Sequence, residues 1–247
     1  MKATQQIMGM PVTIMWHDTA VQQSDIENVF NFFKEVDKNY SPYIETSEVS
    51  RINKKELAVE NYSPELQEIL ELAETTKKQT NGYFDVWHQG DFDPSGIVKG
   101  WAIQKAAERL LAYTDDFYVE AGGDIQVLGK AETGELWKVG VRNPFNRAEN
   151  IAIVGLDNAA IATSGTAIRG SHIYNPVDEH IDETIVSLSV INKRIVDADR
   201  MATAAFAMGK EGIQFIESLD GYEGYMVDKD KIATQTSNWH QYEEAAK

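Results

Sequence analysis

Phe117-Tyr118-Val119-Glu120-Ala121-Gly122-Gly123-Asp124-Ile125-Gln126-Val127-Leu128 marks the point where the pattern of the chain changes. From Phe117 onward short alternating apolar runs are punctuated by glycine and asparagine. Tyr118 to Glu120, Ile125 to Leu128, Trp137 to Val141, Ile151 to Leu156 and Ile185 to Ile191 read as strands of a largely antiparallel sheet. The diglycine between the first two is either a hairpin bend or a place where backbone and ligand approach closely.

Working outward, helical spacing takes over. Met8 to Trp16 reads as an opening strand, and Ser24-Asp25 as the cap of a helix carrying Ile26, Val29, Phe30, Phe33 and Val36. Ser63 before Pro64 opens a second helix through Leu66, Ile69, Leu70 and Ala73, ending near Thr80-Asn81-Gly82. A third runs from Trp101 to Leu111 with Ile103, Ala106, Ala107 and Leu110 as its buried stripe. A fourth begins near Asp199 with Met201, Ala204, Ala205 and Met208, continuing after Gly209 through Ile213, Phe215 and Ile216, and Gly224 to Val227 closes the pattern as a strand. Strands and helices are interspersed without regular βαβ alternation, which gives an α+β fold with helices flanking an antiparallel sheet. The expectation is one domain over residues 1–247, with enough chain for two lobes.

The net charge is −16, with 23 Lys and Arg against 39 Asp and Glu. Nucleic acid and anionic membranes are repelled by such a surface. An anionic ligand must be received by a local device: a metal ion, a helix start or a few placed cations. There are no cysteines, which excludes disulfides, thiolate metal sites and cysteine nucleophiles. No signal-peptide core, lipobox or bilayer-length apolar run is visible, so the expected location is the cytoplasm, or the envelope if a leader has been removed.

Asp93-Pro94-Ser95-Gly96-Ile97-Val98-Lys99-Gly100 is a polar turn feeding a helix, with Asp93 or Ser95 as its cap. Free backbone N–H groups, a lysine and a carboxylate at one helix start suit a phosphate or diphosphate, and they also suit an ordinary capped loop. Asp199 and Thr203, at i and i+4, bring a carboxylate and a hydroxyl to one face of a helix start. Hard oxygen ligands at that spacing fit a magnesium-type cation; simple N-capping by Asp197 or Asp199 accounts for the same residues. In Thr163 to Pro176, Arg169 can grip phosphate with its guanidinium fork, and His172 can act as a general base or as a structural hydrogen-bonding histidine. Tyr83, Phe84 and Tyr43 can stack on a planar ring or fill the core and its rim. No Gly-x-Ser-x-Gly elbow, Gly-x-Gly-x-x-Gly fingerprint or P-loop is present.

Taken in order, these pieces resemble the ApbE family of FAD:protein FMN transferases, in its compact subgroup. Met8-Gly9-Met10 stands for the opening Met-Gly-Thr, followed by Ser41-Pro42-Tyr43, the Ser47-Glu48 to Asn53 run, Gly82-Tyr83-Phe84-Asp85 and the turn from Asp93 to Gly100. Gly122 to Ile125, Thr163 to Arg169, His172 to Pro176 and Asp199 to Ala204 complete the series. Three departures stand out: Met10 for threonine, Asn175 for an acidic residue, and a short spacing between Asp85 and Asp93.

The resemblance implies a T-fold-like architecture that binds FAD and Mg2+ and transfers FMN to a threonine or serine hydroxyl of an acceptor flavoprotein, releasing AMP. It places Met8, Tyr43, Tyr83, Phe84, Asp85, Asp93, Lys99 and Ile173 against FAD. Asp199 and Thr203 become metal ligands through their side chains, Gly96 through its carbonyl, and His172 the candidate base. The alternatives are a metal-dependent FAD pyrophosphatase using water in place of the acceptor, and a flavin-binding protein without turnover.

Overall fold

The computed structural model describes residues 1–166, 175–177 and 183–244. Its main sheet is antiparallel throughout, in the order β1 (Lys2–Ile7), β2 (Met10–Trp16), β5 (Phe117–Ala121), β6 (Asp124–Leu128), β9 (Ala159–Gly165), β10 (Ile185–Asn192), β11 (Glu223–Asp228) and β12 (Ala233–Gln235). Two hairpins stand apart from it: β3 (Trp87–His88) with β4 (Asp91–Phe92), and β7 (Trp137–Asn143) with β8 (Asn146–Leu156). The helices are α1 (Gln23–Tyr40), α2 (Glu48–Asn53), α3 (Pro64–Gln79), α4 (Ser95–Leu110), α5 (Ile195–Ala207) and α6 (Gly212–Glu217). The α+β expectation holds. None of the described helices is long and apolar enough to cross a membrane.

Local chemistry accounts for the element ends. The Ser63 hydroxyl accepts from Leu66 N–H at 3.2 Å, and Pro64 occupies the first helical position of α3, where no N–H is missed. The same hydroxyl lies 3.1 Å from Tyr40 Oη at the end of α1. Ser63→Ala is expected to cost about 1 kcal/mol, read as a fall of about 2–4 °C in the thermal midpoint.

Two strand connections within the main sheet are two-residue turns with both residues at positive φ. Met8 (56°) and Gly9 (70°) join β1 to β2, and Gly122 (62°) and Gly123 (99°) join β5 to β6. This is the pattern of the primed turns whose twist matches paired strands. The turns are neighbours: a Cβ on Gly122 would stand 2.7 Å from Met10 Sδ.

The helices were read better than their boundaries. α4 begins at Ser95, six residues before the expected Trp101, because Asp93 Oδ1 accepts the Ser95 N–H at 2.9 Å and closes the turn. α5 begins at Ile195, so Asp199 and Thr203 lie within the helix and neither Asp197 nor Asp199 is its N-cap, which is Arg194. α1 opens after Gln22, whose N–H is accepted by Asp25 at 2.9 Å. β1, β9 and α2 had no counterpart in the sequence reading.

Two apolar clusters result. The larger lies between the main sheet and α1, α3, α4 and α5, with Phe30, Phe33, Ile103 and Leu110 fully enclosed. The smaller joins Trp137, Val139, Val141, Val154 and Leu156 of the β7–β8 hairpin to Val127, Ile161, Ile191 and Trp239.

Candidate active site

α4 and α5 cross closely because residue 100 has no side chain: a Cβ there would stand 2.7 Å from Asp199 Cβ and 2.8 Å from its Oδ2. Instead the Gly100 N–H donates to Asp199 Oδ2 at 2.8 Å. In an ideal helix that N–H addresses the carbonyl of Gly96. Asp199 competes for this donor, so acceptor capacity on the Gly96 oxygen is left for another partner. The Gly96 backbone is close to Thr203, since a Cβ there would meet Thr203 Cγ2 at 3.5 Å and the Phe84 ring at 3.3 Å. Asp199, Thr203 and Gly96, named from the sequence, therefore line one corner of the same cleft. Thr203 Oγ1 also lies 3.3 Å from Ser164 Oγ on β9.

The corner is buried and electrically unbalanced. Asp199 is 3% exposed and Asp124, just past the diglycine turn, is 1% exposed. Lys99 Nζ lies 2.5 Å from Asp124 Oδ2 and 3.5 Å from Asp199 Oδ1, while Asp124 Oδ1 accepts the Thr163 N–H at 3.0 Å. One ammonium between two buried carboxylates leaves the described side chains of this corner with more acid than base. Burial pushes the Asp199 carboxyl up to about 7; the Asp124 charge adds to this and the Lys99 ammonium opposes it. Hard oxygen donors with surplus negative charge fit a magnesium-type cation. No cluster of three His, Cys, Asp or Glu side chains occurs among the described residues, so such an ion would depend on the hydroxyl, the carbonyl and water or substrate oxygens.

This corner is part of a cleft of about 1070 Å³, bounded by the Gly9–Met10 and Gly122–Gly123 turns, the start of α4, the end of β9 and the β7–β8 hairpin. Tyr83, Phe84, Asp85, Asp93, Gly96, Lys99, Asp199 and Thr203 all line it. Met8 does not: it sits partly buried at its turn, adjacent to the lining residues Gly9 and Met10. Nor does Tyr43, which is 93% exposed. Arg169, His172 and Ile173 lie outside the described residues.

The Ser47 to Asn53 run proves to be scaffolding for the loop at Asp93. Ser47 Oγ caps α2 through the Ser50 N–H at 3.0 Å, and Glu48 Oε2 accepts the Ser63 N–H at 3.0 Å. The Asn53 carboxamide exchanges two hydrogen bonds with the Phe92 backbone, accepting at 2.7 Å and donating at 3.0 Å.

The sequence reading missed the wall made by the β7–β8 hairpin, where Lys138, Arg142, Arg147 and Asn150 line the cleft. Its signal was available in the alternation of Lys138, Gly140 and Arg142 with Trp137, Val139 and Val141.

A model of the ApbE family matches residues 8–90 and 87–226. A protein of Vibrio cholerae named FAD:protein FMN transferase is 32% identical over 130 residues, which are 48% of this chain and 39% of that protein. One of the same name from Chlamydia muridarum is 25% identical over 253 residues, covering 78% and 77%. The matched stretch thus spans about two fifths of the Vibrio relative's length. In fold, the chain resembles the crystal structure of the ApbE protein from Thermotoga maritima, with a TM-score of 0.89, 19% identity and 99% of both chains covered. It also resembles the flavin transferase ApbE from Vibrio cholerae, with a TM-score of 0.84, 21% identity and 98% of both chains covered. A family model matched from the first turn of the main sheet to β11 makes the chain a member of the ApbE family.

Proposed function

We propose that the chain is an FAD:protein FMN transferase. The observation that carries this reading is the enclosed corner where Asp199, Thr203 and Gly96 meet beside Lys99, at the floor of a cleft large enough for a dinucleotide. The relatives' names supply the substrate class.

In the proposed reaction the hydroxyl oxygen of an acceptor threonine or serine attacks the phosphorus that bears riboflavin. A new P–O bond forms to the acceptor, the P–O bond to the adenylate phosphate breaks, and AMP leaves with the bridging oxygen. The hydroxyl proton passes to a base, for which His172 is proposed on its sequence pattern. Asp199, Thr203 and the Gly96 carbonyl would hold Mg2+, which when bound offsets diphosphate charge. Lys99 brings positive charge to the same corner, and Tyr83 offers a ring face for the flavin next to the buried Phe84. Asp124 holds Lys99 in place through its ion pair.

The test is to incubate the chain with FAD, Mg2+ and candidate acceptor flavoproteins. The expected result is an acceptor heavier by one FMN with one AMP released per modification. AMP release at the same rate without acceptor would instead make the protein a pyrophosphatase, and FAD retention without AMP a binding protein. His172→Ala is expected to leave FAD affinity within about twofold while slowing transfer by about 10²-fold or more. Unchanged transfer would remove His172 from the mechanism.

A further inference from the structure

The part of the cleft lining that comes from the β7–β8 hairpin presents guanidinium groups that the reading above does not use. On β7 the side chains of Trp137, Val139 and Val141 enter the smaller apolar cluster, so strand alternation turns Lys138, Gly140 and Arg142 toward the cleft. Gly140 is bare for a reason. A Cβ there would stand 2.3 Å from Nδ2 of Asn150, whose carboxamide lies flat against the strand between Lys138 and Arg142.

The ladder then breaks on both sides of Arg142. Val141 pairs with Ala152 and Arg142 with Asn150, which leaves Ile151 as an extra residue; Asn143 pairs with Asn146, which leaves Arg147 to Glu149 outside the register. Such bulges bend a strand and re-aim its side chains, and they recur beside active sites. Here they bring Arg147 to the same wall as Arg142. Lys138 is shared between Glu135 and Glu244, at 3.4 and 3.5 Å. Arg142 and Arg147 form no ion pair with another described residue, in a chain holding 39 carboxylate side chains against 23 Lys and Arg. The floor of the cleft is acidic and this wall is basic.

We infer that Arg142 and Arg147 form an anion site of phosphate specificity that receives the adenylate phosphate of the dinucleotide and holds the nucleoside monophosphate after release. The inference rests on the dinucleotide reading of the cleft. Guanidinium forks match phosphate oxygens in bidentate fashion, and Asn150 offers both a donor and an acceptor beside them. Because the site is built from guanidinium groups, its affinity for a monophosphate does not require a divalent ion.

The experiment measures calorimetric binding of AMP, adenosine and inorganic phosphate to the whole chain in metal-free buffer, for the native protein and for Arg142→Gln with Arg147→Gln. The expected result is AMP binding weakened by about tenfold or more in the double variant, with adenosine binding unchanged and inorganic phosphate competing with AMP only in the native protein. Repeating the titration with FAD distinguishes the intact dinucleotide from the released monophosphate as the natural occupant. AMP affinity within about twofold of native in the double variant, or no AMP binding by the native chain, would overturn the site. Thermal unfolding of the native chain supplies a readout independent of any variant: AMP should raise the midpoint by more than adenosine does at the same concentration, and equal effects would overturn phosphate specificity. The site and the transferase reading fail separately. Native-like AMP binding by a double variant with FMN transfer intact in the native chain removes only the site, whereas arginine-dependent AMP binding without FAD cleavage removes only the transferase.

Discussion

Asp199→Ala is expected to lower FMN transfer by about 10³-fold or more, and Gly100→Ala by about 10²-fold even though the latter keeps every proposed metal ligand. The first figure follows from removing the one carboxylate proposed as a metal ligand, in a corner whose ion would contribute several kcal/mol to the transition state. The second follows from space. An alanine methyl at position 100 would stand 2.7 Å from Asp199 Cβ, which is backbone-proximal and cannot swing aside, so α4 and α5 must part. Displacements of about 1 Å in a reacting constellation cost about 10² in rate. Following AMP release against Mg2+ concentration checks both variants, with thermal unfolding of the metal-free proteins as the control for folding. Gly100→Ala with native activity would show that the close crossing is not what places Asp199.

Arg200→Ala is expected to cost about 3 kcal/mol of stability, read as a lower urea midpoint at unchanged slope. Arg200 is 6% exposed and sits next to Asp199 on α5. Its Nε donates to Asp197 Oδ1 at 2.9 Å, and Nη1 donates to Thr76 Oγ1 at 3.2 Å and to Gln79 Oε1 at 2.5 Å. One side chain therefore ties α5 to the last turn of α3. Truncation would leave Asp197, 15% exposed, with a 3.5 Å contact to Arg194, and would strip Gln79 Oε1 of this bond, while the Thr76 hydroxyl keeps its bond to the Leu72 carbonyl at 2.7 Å. Arg200→Lys keeps the charge but loses the fork, so it should recover only part of the loss. Because α3 leads into Tyr83, Phe84 and Asp85, the same tie couples the proposed flavin wall to the metal helix.

These contacts show what was legible in one dimension. The stripe Ile26, Val29, Phe30, Phe33 and Val36 and the Ser63-Pro64 start could be read because apolar period and caps are local signals. β1 could not: Lys2-Ala3-Thr4-Gln5-Gln6 is a largely exposed edge strand whose pairing depends on the turn at Met8-Gly9. β9 was hidden by its small residues, Ala159 to Gly165, which lie between β6 and β10 and beneath α5, where larger side chains have no room. Within the site, the i and i+4 spacing of Asp199 and Thr203 was readable. Their meeting with Gly96 depended on two helices crossing at Gly100, and Asp124 joined them only through the sheet. The basic wall belongs to a second sheet whose position no local pattern encodes.

That second sheet has a consequence for how the protein is made. β8 is held from its outer side by the last described residues: Gly155 N–H donates to Tyr242 O, and Glu244 N–H donates to Ile153 O, both at 2.8 Å, while Trp239 fills the cluster beneath. Translation delivers the hairpin about a hundred residues before the segment that braces it. A ribosome-bound chain can therefore lay down β1, β2, β5 and β6 with α1 and α4 long before the hairpin is braced, so the proposed nucleotide grip waits for residues 239–244.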